Sequence, residues 1–206
     1  MKEVFISCPA GSGMNFAGTL LRLSFNRAFA AIGHERRHVE VLKPQIVIVR
    51  DPYSTIASGT ERWFAVSEHE SFVNNEKLIT EENYFNVDMI KEVIGWETER
   101  YIEFFKDIDK LDHAKLFSFE LLTQNPDLFI EKVTKAFDLK KKVFNISADM
   151  VIDEVVRSGN ENRVPHEKTK SRELVNSILL EMYPKETWEA WEIYSELKKK
   201  LDSEGL

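Results

Sequence analysis

One cysteine stands in 206 residues, so no intrachain disulfide can brace this chain. That usage fits a reducing compartment. Cys8 ends an apolar run, where a thiol serves as a small core residue. Glycine and proline are sparse, at eight and six, and no stretch is rich in both. Without a linker or an internal repeat, the chain is expected to form one domain over residues 1–206. No apolar run nears the roughly 18 residues of a membrane span, and no basic leader opens the sequence. No membrane span and a location in the cytoplasm are therefore expected. Positive charge is also short: 28 Lys and Arg face 35 Asp and Glu, for a net charge of −7. A nucleic-acid backbone is a poor partner for such a chain, although a local cluster of cations and amides can still hold a small anion. His, Cys and Asp nowhere cluster at metal-ligand spacing, so no metal is expected.

What is present is a globular composition, 43% hydrophobic and 11% aromatic, well away from the disordered regime. Val4-Phe5-Ile6-Ser7-Cys8 reads as a buried strand over 3–8. A loop at 9–13 follows, then a helix from Asn15 to Ile32 with Phe16, Leu20 and Leu23 on one stripe, ended by Gly33. A short strand is expected over His38–Leu42. Lys43-Pro44 breaks the chain before Ile46-Val47-Ile48-Val49, a second buried strand over 45–50. Pro52 suits the first turn of the next helix. Residues 65–85, rich in Glu, Asn and Ser, read as a surface excursion. An amphipathic helix follows over 86–107, a third strand over 115–119, and a helix from Asn125-Pro126. Residues 157–172 form a polar, basic loop, and 173–203 are helical with a break at Pro184. Strands separated by helices imply parallel pairing through right-handed crossovers. The expected architecture is an α/β fold in three layers, a mainly parallel sheet flanked by helices.

Two strand-to-helix turns carry the chemistry. After the first strand, Gly11-Ser12-Gly13 exposes backbone amides at the positive end of a helix dipole. Its glycines permit an approach that a β-carbon would block. Gly13 is followed by Met14-Asn15, so the lysine and the magnesium-binding hydroxyl of a Walker A loop are missing. At the second turn, Arg50-Asp51-Pro52 ends the strand in a fixed cation, and Ser58 lies eight residues past the arginine. A guanidinium and a hydroxyl so placed make a grip for a phosphate monoester. Together the two turns point to a nucleotide phosphorylated at two separate places.

Taken in order, these elements resemble the sulfotransferases that use 3′-phosphoadenosine-5′-phosphosulfate (PAPS). Pro9 followed by Gly11-Ser12-Gly13-Met14-Asn15-Phe16 is similar to the family's Pro-Gly-Ser-Gly-Asn-Thr-Trp loop, with one residue inserted after the proline. That loop binds the 5′-phosphosulfate. Arg50-Asp51-Pro52 with Ser58 resembles the Arg–Ser pair that holds the 3′-phosphate. Phe117-Ser118-Phe119-Glu120-Leu121-Leu122 before Asn125-Pro126 is similar to the family's Tyr-Glu-Asp-Leu segment. Phe137-Asp138-Leu139 falls where Phe-Leu-Gly-Leu usually stands. The resemblance spans roughly residues 3–172. It implies a P-loop-like sulfotransferase fold, PAPS as sulfuryl donor without a metal, and a hydroxyl-bearing acceptor. It also implies nucleotide contacts from Gly11, Ser12, Gly13, Met14, Asn15, Phe16, Arg50 and Ser58. Many members carry a lysine where Gly11 stands, so the amides of residues 13–16 and the helix dipole are left to steady the leaving group.

Sulfuryl transfer to an alcohol needs a base, and histidine suits the task near neutrality. The family usually places one at a strand end between the two nucleotide loops, where this chain has His34 and His38. His38 is preferred because it opens the apolar stretch Val39–Leu42. Members commonly close the 3′-phosphate site with a basic loop, and Arg157-Ser158-Gly159 is a partial match with Arg163, Lys168, Lys170 and Arg172 behind it. Arg157 and Arg163 are the candidates there. Two rival readings accompany this one. The missing loop lysine motivates a non-catalytic, nucleotide-binding member of the fold. A P-loop nucleotide kinase would instead use Asp51 as a magnesium-binding strand end.

Overall fold

The computed structural model describes residues 3–9, 12–25, 29–67, 87–140, 142, 146–158 and 170–204. The strands are β1 (Phe5–Ser7), β2 (Ala30–Gly33), β3 (Gln45–Val49) and β4 (Ala114–Ser118). The helices begin with α1 (Met14–Phe25), α2 (Arg36–Val39), α3 (Pro52–Ser67) and α4 (Val87–Phe105). They continue with α5 (Phe119–Gln124), α6 (Pro126–Phe137), α7 (Ala148–Arg157), α8 (Lys170–Met182) and α9 (Pro184–Glu204). All strand pairs are parallel, in the order β2-β1-β3-β4.

Every residue of β3 is buried, as the apolar run Ile46–Val49 demands of a strand covered on both sides. Successive side chains of a strand point to opposite faces, and this splits the core in two. Ile46 and Ile48 join Ile6 and Phe117 beneath α1, α5, α6 and α7. Val47 and Val49 join Leu116 beneath α3, α4, α8 and α9. The first layer is keyed by Phe117, which meets Phe129 edge-on with ring centroids 5.3 Å apart. The second closes on Tyr101, Phe104 and Phe105, all essentially without solvent exposure. The α/β architecture is therefore as the sequence implies, with helices on both faces of a parallel sheet. Among the described residues no helix is long and apolar enough to cross a membrane.

Two local expectations fail, both before β3. The helix expected over 15–32 ends at Phe25, and Ala30–Gly33 pairs with β1 instead. Alanine favours helix intrinsically, but β1 would otherwise keep an unpaired edge of amides and carbonyls. The strand expected over 38–42 does not form; Arg36–Val39 is a single helical turn, α2. Gln45 is the reason. Its side-chain amide, fully buried, shares its two N–H donors among the carbonyls of His38, Val39 and Val41 at 3.1, 3.2 and 2.9 Å. Its side-chain carbonyl accepts from the Ser7 hydroxyl at 2.8 Å. One side chain thus supplies the partners that a strand ladder would have given.

Gln45→Leu is accordingly expected to destabilise the protein by about 3 kcal/mol, since each buried polar group stranded without a partner costs roughly 1–3 kcal/mol. Urea unfolding with an unchanged m-value checks this. A loss below about 1 kcal/mol would contradict the network's structural role.

Candidate functional site

The strand order sets where a ligand fits. From β1 the chain leaves through α1 on the Ile46/Ile48 face, whereas from β3 it leaves through α3 on the Val47/Val49 face. β1 and β3 are hydrogen-bonded neighbours in register, Phe5 against Gln45 and Ser7 against Val47. Their outgoing connections diverge to opposite faces, which opens a crevice above the carboxyl ends of the two strands. Open parallel sheets bind their ligands at such switch points. The two turns singled out in the sequence follow the carboxyl ends of these two strands.

The first turn folds on itself, the Ser12 amide donating to the Pro9 carbonyl at 3.2 Å. Gly13 follows at φ +85°, a left-handed conformation, and its carbonyl accepts from Ala17 to begin α1. No side chain caps that end of α1 from Gly13, so the amides of Met14, Asn15 and Phe16 have no acceptor within the helix. The Phe16 ring is buried in the core, which leaves its amide as the group for the crevice. Ala10 and Gly11 lie outside the described residues.

The second turn is held from three sides. Asp51 caps α3 by accepting from the Ser54 amide at 2.8 Å, with Pro52 in the first helical position. Tyr101 donates to the Arg50 carbonyl at 2.9 Å. Burial, reinforced by the Asp51 carboxylate, pushes the Tyr101 phenol well above its ordinary pKa, so it stays a donor at neutral pH. The Arg50 guanidinium lies over the Phe119 ring, 4.2 Å from its centroid.

The two turns touch the same groups. Ser12 Oγ and Thr55 Oγ1, both buried, are 3.4 Å apart. A β-carbon on Gly13 would stand 2.8 Å from Phe119 Cε2, on the ring that carries Arg50. Ser58, half-buried, is three residues past Thr55 and shares its helix stripe. The structure thus brings Ser12 of the first turn against Thr55 of α3, and Gly13 and Arg50 against one ring, Phe119, with the amide end of α1 beside them and Ser58 one turn further along α3. Thr55 and Phe119 were not singled out as site residues by the sequence. Thr55 is legible in hindsight as the helical neighbour of Ser58, whereas nothing local marks Phe119 as the shared floor of two distant turns.

The histidines separate clearly. His34, just past β2, has Nδ1 2.8 Å from the carbonyl of Cys8, just past β1. A carbonyl only accepts, so Nδ1 carries a proton, and in the neutral tautomer the lone pair lies at Nε2. His38 instead folds against its own turn: its Nδ1 accepts from the Glu35 amide at 3.3 Å, and its ring packs on Gly33. The strand that favoured His38 is absent, and His34 is the imidazole tied to the end of β1, just before the first turn.

Arg157 is held elsewhere. Its guanidinium donates to Glu154 at 2.8 and 2.6 Å, and Glu154 also pairs with Arg22 in the third turn of α1. The two guanidiniums hold the Glu154 carboxyl below its ordinary range. Arg22 is eight residues from the amide end of α1, about 12 Å of helical rise. Arg163 and Lys168 lie outside the described residues, as does most of the basic loop.

The chain was also compared with known proteins. Neither the protein-family models nor the curated proteins it was compared with give a match, so the functional reading rests on the geometry above.

Proposed function

We propose that this chain binds PAPS across the β1/β3 crevice and transfers its sulfuryl group to a hydroxyl acceptor. The observation that supports the reading is the meeting of Gly13 and Arg50 on the Phe119 ring, which sets the two turns side by side. The donor supplies a sulfuryl group on a phosphate leaving group. Ser12 and the amides of residues 13–16 take the 5′ end, with the α1 dipole facing the charge that builds up there. Arg50 and Ser58 take the 3′-phosphate, the guanidinium offering two parallel donors. His34 Nε2 accepts the proton of the acceptor hydroxyl as its oxygen attacks sulfur. The amides and the dipole then do the work that a loop lysine does in many PAPS-dependent sulfotransferases.

Calorimetric titration with adenosine-3′,5′-bisphosphate tests the reading. Saturable binding is expected, with a rise in Tm under excess ligand, and adenosine-5′-monophosphate should bind at least tenfold more weakly for want of the 3′-phosphate. No heat and no Tm shift at millimolar bisphosphate would end the proposal. Tight binding without sulfate transfer to any acceptor would instead favour a non-catalytic nucleotide binder. ATP binding that requires magnesium would favour the kinase reading, although Asp51 already spends one carboxylate oxygen on capping α3.

The base assignment has its own test. His34→Asn is expected to lower kcat by about 10²–10⁴ and to leave bisphosphate affinity unchanged. His38→Asn should leave turnover intact. The opposite pattern would return the role to His38.

A further inference from the structure

The same sheet edge carries a second cleft, of about 160 Å³, on the opposite face. By strand alternation Val49 and Ser118 point to the face of the sheet opposite Ile48 and Phe117, and Glu120 reaches the cleft from α5. They meet α9, which contributes Tyr194, Lys198 and Asp202. These three recur every four residues and so form one helical stripe. Tyr194 is only 8% exposed, its ring held edge-on by Trp191 at 5.5 Å. Among the described residues the Tyr194 hydroxyl has no hydrogen-bond partner, and it opens onto the cleft while the rest of the side chain is buried. Neither Glu120 nor Asp202 has an ion-pair or hydrogen-bond partner for its carboxylate among the described residues. The Lys198 ammonium stands 6.0 Å from the centre of the Tyr194 ring.

The charge balance of the cleft is negative. Burial, then the Glu120, Asp51 and Asp202 carboxylates in that order, push the Tyr194 phenol up to about 12. Three carboxylates therefore bear on this phenol, with Lys198 the cation in the lining. Two lining carboxylates and a phenol fall short of the six to eight oxygens that calcium takes. The volume corresponds to about five waters, enough for a compact molecule of a few heavy atoms.

We propose that this cleft binds a small organic cation, a primary ammonium group on a compact polar molecule. Glu120 and Asp202 are its charged partners, and the Tyr194 hydroxyl is its hydrogen-bond partner. The site stands on its own observations, independent of nucleotide binding in the β1/β3 crevice.

Ethanolamine at pH 7 is the probe, titrated into the full chain by calorimetry and followed by the fluorescence of Trp191, whose ring abuts Tyr194. Saturable one-to-one binding is expected, with no binding of ethylene glycol or glycolate. Glu120→Gln and Asp202→Asn should each weaken it about tenfold, the scale of one lost charge-assisted hydrogen bond. Tyr194→Phe should weaken it severalfold while leaving Tm unchanged or raised, since the hydroxyl removed has no partner within the chain. A response that does not saturate, or that potassium chloride reproduces at equal ionic strength, would overturn the proposal. So would affinity that survives intact in the Glu120→Gln, Asp202→Asn double variant.

Discussion

Arg50→Ala is expected to weaken adenosine-3′,5′-bisphosphate binding by a factor of about 100 or more. Truncating one partner of a hydrogen-bonded charge pair typically costs 2–5 kcal/mol, and each 1.4 kcal/mol is tenfold. The effect should be one of affinity rather than folding. Tyr101 holds the backbone carbonyl of residue 50, which alanine keeps, and the contact between guanidinium and Phe119 is worth only about 1 kcal/mol. Arg50→Lys should fall between the two, because lysine retains the charge and loses the planar fork. Arg157→Ala provides the comparison: its guanidinium is engaged by Glu154, so nucleotide affinity should not change. Calorimetry on the three variants decides the matter. An Arg50→Ala affinity within a few-fold of the parent would place the 3′-phosphate elsewhere.

Gly13→Ala is expected to damage both ends of the site at once. The residue sits at φ +85°, where an L side chain costs roughly 1–2 kcal/mol. The added methyl would also stand 2.8 Å from Phe119 Cε2 and 3.1 Å from Cδ2. The ring has to move, and the Arg50 guanidinium rests on it. A substitution in the first turn should therefore lower Tm by several degrees and reduce affinity more than tenfold, with loss at the 3′-phosphate end as well as the 5′ end. A double-mutant cycle isolates the contact. Combined with Phe119→Ala, Gly13→Ala should cost less stability than it does alone, because part of the clash is gone. Strict additivity of the two losses would show that the ring and the loop are not coupled.

The parts of this fold that the sequence made legible are those in which local pattern and tertiary demand agree. The run Ile46–Val49 has no polar break and lies buried on both sides, at the centre of the sheet. Asn125-Pro126 combines a capping side chain with a first-turn proline, and α6 begins there. Legibility fails where a distant partner decides. Ala30–Gly33 is a strand because β1 needs a neighbour, and the segment from His38 to Val41 is not one because Gln45 occupies its carbonyls. Helix α7 lay in a stretch left unassigned, although Ser147 caps it through the Met150 amide as a helix-start signal should.

The site divides along the same line. Gly13, Arg50 and Ser58 announce themselves by residue type and spacing. Which of His34 and His38 adjoins the first turn depends on which segment becomes the second strand, a question of sheet pairing that periodicity does not answer. Phe119 became the common floor only once β3 and β4 lay side by side, Val49 against Ser118. Such a role has no local signature.

A structure of the protein with adenosine-3′,5′-bisphosphate bound tests the central claim most directly. The 5′-phosphate is expected against Ser12 and the amides of residues 13–16, and the 3′-phosphate against Arg50 and Ser58, with His34 nearer than His38 to the 5′ end. A nucleotide seated away from the β1/β3 crevice, or one whose two phosphates both avoid these turns, would contradict it.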